Sequence, residues 1–505
     1  MSGADLRLAR AFHWVLGLGL LLKLVLAAVA PMSGDEAYFL IWGREPALGY
    51  YDHPPMVGWL LALMLPFSEA GWVLRLPAVL ASLLVGYGIF HLLRDVNREK
   101  AYLAALLYLV APTSLLNVII TTDSGLIVWS FLSAALLWRG EQSKRPADYF
   151  WAGIFLGLAW LSKYFAALLT LAYLVHWLLG PHDASRHRRF LLLLLAAMPF
   201  IALNVYWNYG HCWANIMFNV FNRHGDAGFA IERPLIYLAL LIYLFTPPLL
   251  IALWRARKHF TSAKARYFGL CTAVPFGVFG LLSFVKLIGL HWVLSFYPFF
   301  FIFAALVLEA SALRRALKFM MVLTGLHLLA ILVFALLPLQ AFERWSKYDG
   351  MVFMLRPQTI LAELAPYEDR YVFATDGYSA SAIIAYHAKR PFIVFGEASS
   401  HARHDDIVTD FRALDGKNIL ILLKKEPEFD KFGPYFRRVS FQNFSVEGAR
   451  FYLVLGEGFD YPRYREQVLR PIKEKYYAVP RFLPMGGCYF CEKYFPKEAC
   501  RAAHR

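Results

Sequence analysis

Between about residue 10 and residue 340 the chain repeats one pattern, in which apolar runs of roughly 17 to 25 residues alternate with short polar loops. Each run is long enough to cross the hydrocarbon core of a bilayer as a helix. They fall near 10–31, 73–93, 102–120, 124–138, 149–162, 164–180, 190–207, 234–254, 267–285, 288–308 and 317–339. Several are short or abut, so the pattern predicts about 11 spans, and up to about 13 if the abutting runs divide differently. No small-residue cleavage site follows the first run, which is therefore expected to be a retained span. Past residue 340 the runs shorten. Strand-like pieces at 371–375, 392–395, 418–423 and 449–455 alternate with helix-like ones at 357–364, 379–388 and 405–414, as in an α/β domain. The expected fold class is a polytopic α-helical membrane domain over residues 1–340 followed by an α/β domain over 341–505.

Composition agrees, since 59% hydrophobic and only 17% charged residues are too apolar for a water-soluble chain. A net charge of +15 raises the question of nucleic acid, but a nucleic-acid binder gathers its Lys and Arg on one soluble face. Here much of the excess sits in short loops between apolar runs. With Arg7 and Arg10 in the cytoplasm, Arg94/Arg98/Lys100, Arg139/Lys144/Arg145, Arg186/Arg188/Arg189, the basic residues of 255–266, and Arg314/Arg315/Lys318 share that side. The opposite loops hold only Arg44, Arg75, Lys163, Arg223, Arg233 and Lys286. Such asymmetry sets orientation. With an odd number of spans it predicts that residues 341–505 lie on the outer, periplasmic side.

On this topology the polar residues that look out of place all fall at the outer membrane surface: Asp35, Glu36, Asp52, His53, Asp123, Lys163, the 208–232 loop, Lys286 and His291. Ionisable groups at membrane depth are costly and mark function by default, although single ones also cap helices in the headgroup layer. Tyr38, Tyr50, Tyr51, Trp59 and Trp72 crowd the first outer loop, where aromatic rings form either an interface belt or the wall of a sugar pocket.

Five segments carry a family resemblance: Gly34-Asp35-Glu36-Ala37-Tyr38-Phe39 with Gly49-Tyr50-Tyr51-Asp52-His53-Pro54-Pro55-Met56; Thr121-Thr122-Asp123-Ser124-Gly125-Leu126; Gly157-Leu158-Ala159-Trp160-Leu161-Ser162-Lys163-Tyr164; Trp207-Asn208 through Trp213-Ala214 to Asn222-Arg223-His224; and Lys286 to His291-Trp292 and Tyr297-Pro298. In this order they resemble the GT-C glycosyltransferases of the protein O-mannosyltransferase type, and within them the bacterial branch that includes the aminoarabinose lipid A transferases. The resemblance covers about residues 10–310 and is weaker in the tail.

It implies transfer of a sugar from a polyprenyl-phosphate donor to a periplasmic lipid or glycan acceptor, with lipid A or lipopolysaccharide core first and protein O-glycosylation as the alternative. Such a donor already carries its leaving group, so the site needs a base for the acceptor and cations for the departing phosphate. Asp35 is the family-matched carboxylate, with Glu36 its structural neighbour and Asp123 the acid of the second loop. Lys163, Arg223 and Lys286 are candidates for the phosphate, and Tyr50, Tyr51, Tyr164 and His291 for the substrate. The aminoarabinose transferases have a Lys before the Pro-Pro pair, where this chain has His53. Imidazole is fully charged only below a pKa near 6.5, so His53 is a weaker phosphate ligand. Asp52, His53 and His224 form an alternative divalent-metal set; no other cofactor is implied.

Cys212 and Cys271, in or beside spans, are expected to be inert. Cys488, Cys491 and Cys500 in the tail suggest one disulfide and a spare thiol, or a zinc site with His504. A transporter or flippase is the rival from another class, but it would place its charges near the midplane of paired halves.

Overall fold

The computed structural model describes residues 3–181, 183–222, 228–257, 262–397, 403–498 and 500–501. The chain divides into two compact units, one of Met1–Ala30, Pro54–Leu203 and Ala227–Ala335, the other of Pro31–His53, Asn204–Asp226 and Leu336–Arg505.

The first unit is helical. Five of its described helices are long and apolar enough to cross a membrane: Asp5–Val29, Leu76–Leu93, Ala184–Gly210, Ala263–Leu282 and Ala310–Leu336. Glu232–Phe245 and Pro247–Ala256 pass the same test together but meet at 89°. The break has a local cause: Thr246 stands at φ 61°, and two prolines open the next helix, where a missing N–H does no harm. The remaining expected runs lie on shorter or less apolar helices, among them Arg98–Val110, Thr122–Ser143, Pro146–Ser162, Ala166–Leu178 and Tyr297–Val307. Arg98–Val110 forms the middle of the core, with Leu103, Ala104, Ala105 and Leu107 all fully buried. Small residues let helices touch, as where a Cβ at Gly153 would lie 2.2 Å from the Leu193 carbonyl oxygen. The apolar window of Ala310–Leu336 is only 11% buried, so its leucines and valines point out of the protein. Such a surface suits lipid and not water. Arg75, itself buried, donates at 2.8 Å to the carbonyls of Ala27 and Ala30, closing the open end of the first helix.

The second unit is built on a five-stranded sheet: β1 (Val372–Thr375), β2 (Ile393–Val394), β3 (Ile419–Leu423), β4 (Phe436–Val446) and β5 (Ala449–Phe459). The order is β2-β1-β3-β5-β4, parallel across the first three and antiparallel across the last three. The wholly apolar β3 is wholly buried, as a central strand requires. β4 and β5 form a hairpin that turns at Glu447 and Gly448, both at positive φ. The segments 31–53 and 204–222 pack into this unit. One consequence corrects the expectation for the cysteines. Cys212 is bonded to Cys488 and Cys491 to Cys500, so there are two bridges where one and a spare thiol were expected, and none of these thiolates is left for zinc. Cys212 enters because the 204–222 segment shares a core with the tail through Trp213, Phe218, Tyr477 and Phe490. Cys271 is a buried free thiol in the helical unit.

Candidate functional site

Ser33 caps the Gly34–Arg44 helix by a reciprocal pair of bonds: its hydroxyl accepts from Glu36 N at 3.3 Å and its own N–H donates to Glu36 Oε2 at 3.1 Å. This gives Glu36 a capping duty and buries it, while Asp35, one residue earlier, is exposed. Gly34 then decides what Asp35 meets. A Cβ at this position would fall 1.8 Å from Ser379 Oγ, so only glycine lets the start of this helix touch the start of the Tyr378–Ala388 helix. The contact brings the Tyr378 hydroxyl to 3.0 Å from Asp35 Oδ1. Burial, and after it the Asp35 charge, raise the Tyr378 pKa, so the phenol stays protonated and donates.

Next to this pair, Tyr38 packs edge-on against Tyr378 at 5.2 Å and donates to Asp52 Oδ1 at 3.3 Å, while its oxygen accepts from His404 N. Tyr38 too is held protonated, by burial first and by Asp52 second. Trp42 lies flat on Tyr50 at 4.4 Å, and the Tyr50 hydroxyl donates to the Trp42 carbonyl at 2.8 Å. Asn215 and Asn219 anchor the loop by donating to the carbonyls of Tyr50 and Asp52 at 3.0 and 2.9 Å. Tyr50 and Tyr51 are fully buried, which makes their rings part of the wall behind the loop. His53 lies edge-on to Phe39 and Trp42. The unit thus gathers Asp35, Glu36, Tyr50, Tyr51, Asp52 and His53 around two tyrosine–carboxylate bonds. Of the metal set, His224 lies outside the described residues, as does Arg223, and the Asp52 carboxylate is occupied by Tyr38.

In the helical unit, Thr121 and Ser124 cap the helix that carries Asp123. Both Asp123 oxygens receive the Lys163 ammonium, at 2.9 and 2.8 Å, and both side chains are buried. Lys163 sits where the Pro146–Ser162 helix ends in extended backbone and also faces the Phe165 ring at 5.0 Å. Its charge is already neutralised, so an incoming phosphate would share it with Asp123. Tyr164 follows, edge-on to Trp160. Lys286 precedes and His291 lies on the short Leu290–Val293 helix of this unit, whose Trp292 packs at 5.1 Å on Phe165, the ring that Lys163 faces.

Tyr378 and His404 were not marked by the sequence, and Asn215 and Asn219 only as part of the 208–232 loop. Tyr378 had only a weak local signal, the Asp376-Gly377 break ahead of a helix.

The fold is that of the GT-C membrane architecture. Over 88% of this chain and 98% of the other, the structure matches ArnT from Cupriavidus metallidurans in the apo state, with a TM-score of 0.62 and 17% identity. The form of that protein bound to undecaprenyl phosphate matches equally, over 87% and 97%. Residues 52–207 match the profile of the dolichyl-phosphate-mannose-protein mannosyltransferases. A curated relative, the lipid A galacturonosyltransferase RgtD of Rhizobium johnstonii, is 27% identical over 229 residues, which are 41% of this chain. The match spans about half of that relative, 48% of its length. The resemblance to bacterial GT-C glycosyltransferases of the lipid A-modifying type is thereby borne out.

Proposed function

We propose that the chain is a membrane glycosyltransferase that takes a hexose or pentose from a polyprenyl-phosphate donor and delivers it to a lipid or glycan acceptor, lipid A or lipopolysaccharide core before any other. The observation that carries this reading is Asp35: an exposed carboxylate at the head of a capped helix, fixed by Tyr378, in a chain that shares its fold with ArnT. In the reaction the acceptor oxygen attacks the anomeric carbon, the bond from that carbon to the phosphate oxygen breaks, and the acceptor proton passes to Asp35. Polyprenyl phosphate leaves, with Lys163, Arg223 and Lys286 taking up its charge. Asp123 orients Lys163. The reading includes about 11 spans, a cytoplasmic N-terminus, a catalytic membrane domain over 1–340 and a periplasmic domain over 341–505, as the loop charges indicate.

The test is mass spectrometry of lipid A and of total glycans from a strain lacking the gene, paired with turnover of a polyprenyl-phosphate sugar by the purified protein. A single sugar mass missing from lipid A or core, restored by wild type, is the expected result. The same mass missing only from proteins would move the acceptor to protein. No change in any glycan, with no turnover in vitro, would sink the reading.

A further inference from the structure

A charged side chain lies inside the first apolar helix, away from every group placed in the site above. Lys23 stands six residues before Val29, about 9 Å from the end of that helix, and is 1% exposed. Among the described residues its ammonium has one acceptor, the Asn117 carbonyl oxygen at 2.8 Å, and no carboxylate. An ammonium held in this way costs far more than the methionine that would fill the same space. What the lysine supplies is direction, because its N–H donors hold a backbone carbonyl where an apolar side chain cannot.

That carbonyl belongs to the stretch between the Pro112–Leu115 and Thr122–Ser143 helices, which has no helix of its own to pair its backbone groups. Ala27, one turn beyond Lys23, shares an apolar cluster with Val118, the next residue of the stretch. The first helix thus holds the stretch by one polar and one apolar contact. Arg75 in turn fixes the end of that helix through the carbonyls of Ala27 and Ala30. Four residues after Asn117 comes Thr121, whose hydroxyl accepts from Asp123 N at 3.3 Å and whose own N–H donates to Ser124 Oγ at 3.2 Å. The stretch that Lys23 holds at one end therefore starts the Asp123 helix at the other, and Asp123 carries the Lys163 ammonium.

We infer that Lys23 is a positioning residue for the transfer: through the Asn117 carbonyl it sets where the Asp123–Lys163 pair stands. The inference rests on the reading of that pair as part of the donor-phosphate site.

Full-length protein in detergent would be compared as wild type, Lys23→Met, Lys163→Met, Asp123→Leu with Lys163→Met, and the triple variant, by donor KM, kcat and amide hydrogen exchange. Lys23→Met should speed exchange over residues 117–121 and raise donor KM by about fivefold, with kcat changed by less than about twofold. In the background that lacks the pair it should raise donor KM no further, because the groups it positions are gone. A general loss of fold would not show that dependence. Lys23→Gln keeps a donor and should fall between wild type and Lys23→Met; it carries the same test if Lys23→Met does not accumulate. The inference is overturned if exchange over 117–121 is unchanged, if donor KM stays at the wild-type value while Lys163→Met raises it, or if the rise is the same without the pair. A Lys163→Met protein with the wild-type donor KM would instead remove the pair from donor binding, and with it both that part of the proposed function and the role of Lys23.

Discussion

The Tyr378 hydroxyl donates to Asp35 Oδ1 at 3.0 Å across 343 residues of sequence, so the segment after β1 orients the carboxylate of the first loop. If Asp35 is the base, its replacement by Asn keeps size and hydrogen bonding but removes basicity, with an expected loss in turnover of about 10²–10⁴-fold. Tyr378→Phe should lower kcat by about tenfold and leave donor KM nearly unchanged, because one hydrogen bond to the carboxylate is lost and no ground-state contact with donor. Steady-state kinetics on the two variants beside wild type decide this. Near-normal turnover of Asp35→Asn would pass the role to Asp123.

Gly34 is a packing requirement for that geometry. Gly34→Ala forces the two helix starts apart, since its Cβ would overlap Ser379 Oγ. The expected result is a fall in turnover comparable to that of Tyr378→Phe, and Gly34→Ala combined with Ser379→Gly should recover much of it. A Gly34→Ala protein as active as wild type would show that the contact is dispensable.

Asp123 and Lys163 form a buried pair in which each charge depends on the other. Removing one partner strands the other and costs about 3–5 kcal/mol. Asp123→Ala or Lys163→Ala should therefore lower the thermal midpoint sharply, whereas Asp123→Leu with Lys163→Met should be more stable than either. Lys163→Met should also raise donor KM if the ammonium shares the donor phosphate. Equal stability of the single and double variants would argue against a mutually dependent pair.

The two disulfides differ in the length of chain they close, 276 residues for Cys212–Cys488 and 9 for Cys491–Cys500. Stabilisation by a cross-link grows with loop length. Cys212→Ser with Cys488→Ser should lower the thermal midpoint more than Cys491→Ser with Cys500→Ser, and specific activity of the folded fraction should survive in both. Loss of turnover without loss of fold would assign the bridge a functional part.

His404 is buried with Nδ1 unpartnered, and burial lowers its pKa to about 3. The unfolded chain therefore takes up a proton near pH 6.5 that the folded chain refuses, so stability falls as pH drops from about 6.5 towards 3. Asp405 acts in the opposite sense, because burial and the neighbouring Asp406 raise its pKa. His404→Phe separates the two: its thermal midpoint should fall less steeply than that of wild type between pH 6 and 4. Parallel curves would show that His404 does not control the acid limb.

The hydropathy pattern foretold the five long helices, because each buries or exposes one continuous apolar run. It also foretold β1, β3 and the first part of β5, which are apolar and central. β4 escaped because it is an edge strand whose Arg437, Arg438, Gln442 and Asn443 are exposed, so it carries no apolar run. The helix expected over 405–414 breaks into Asp405–Val408 and Phe411–Leu414, separated by extended backbone at Thr409 and Asp410. Among the candidate residues, Asp35, Asp123 and Lys163 stood out because charge beside an apolar run is rare. Tyr378 did not, since one tyrosine among 28 in the chain carries no sign of the carboxylate it will meet.

The bond between Cys212 and Cys488 also constrains how the protein is made. Its second cysteine is made 276 residues after the first, so the ring cannot close until every helix between them has been synthesised. Closure also needs both cysteines in the same oxidising compartment. On the proposed topology Cys212 therefore waits, exported and unlocked, while every later helix is inserted. Blocking the thiols with a membrane-impermeant reagent during a pulse-chase would show how long that interval lasts. Finding the bond in the mature protein would place both cysteines in an oxidising compartment, as the proposed orientation requires.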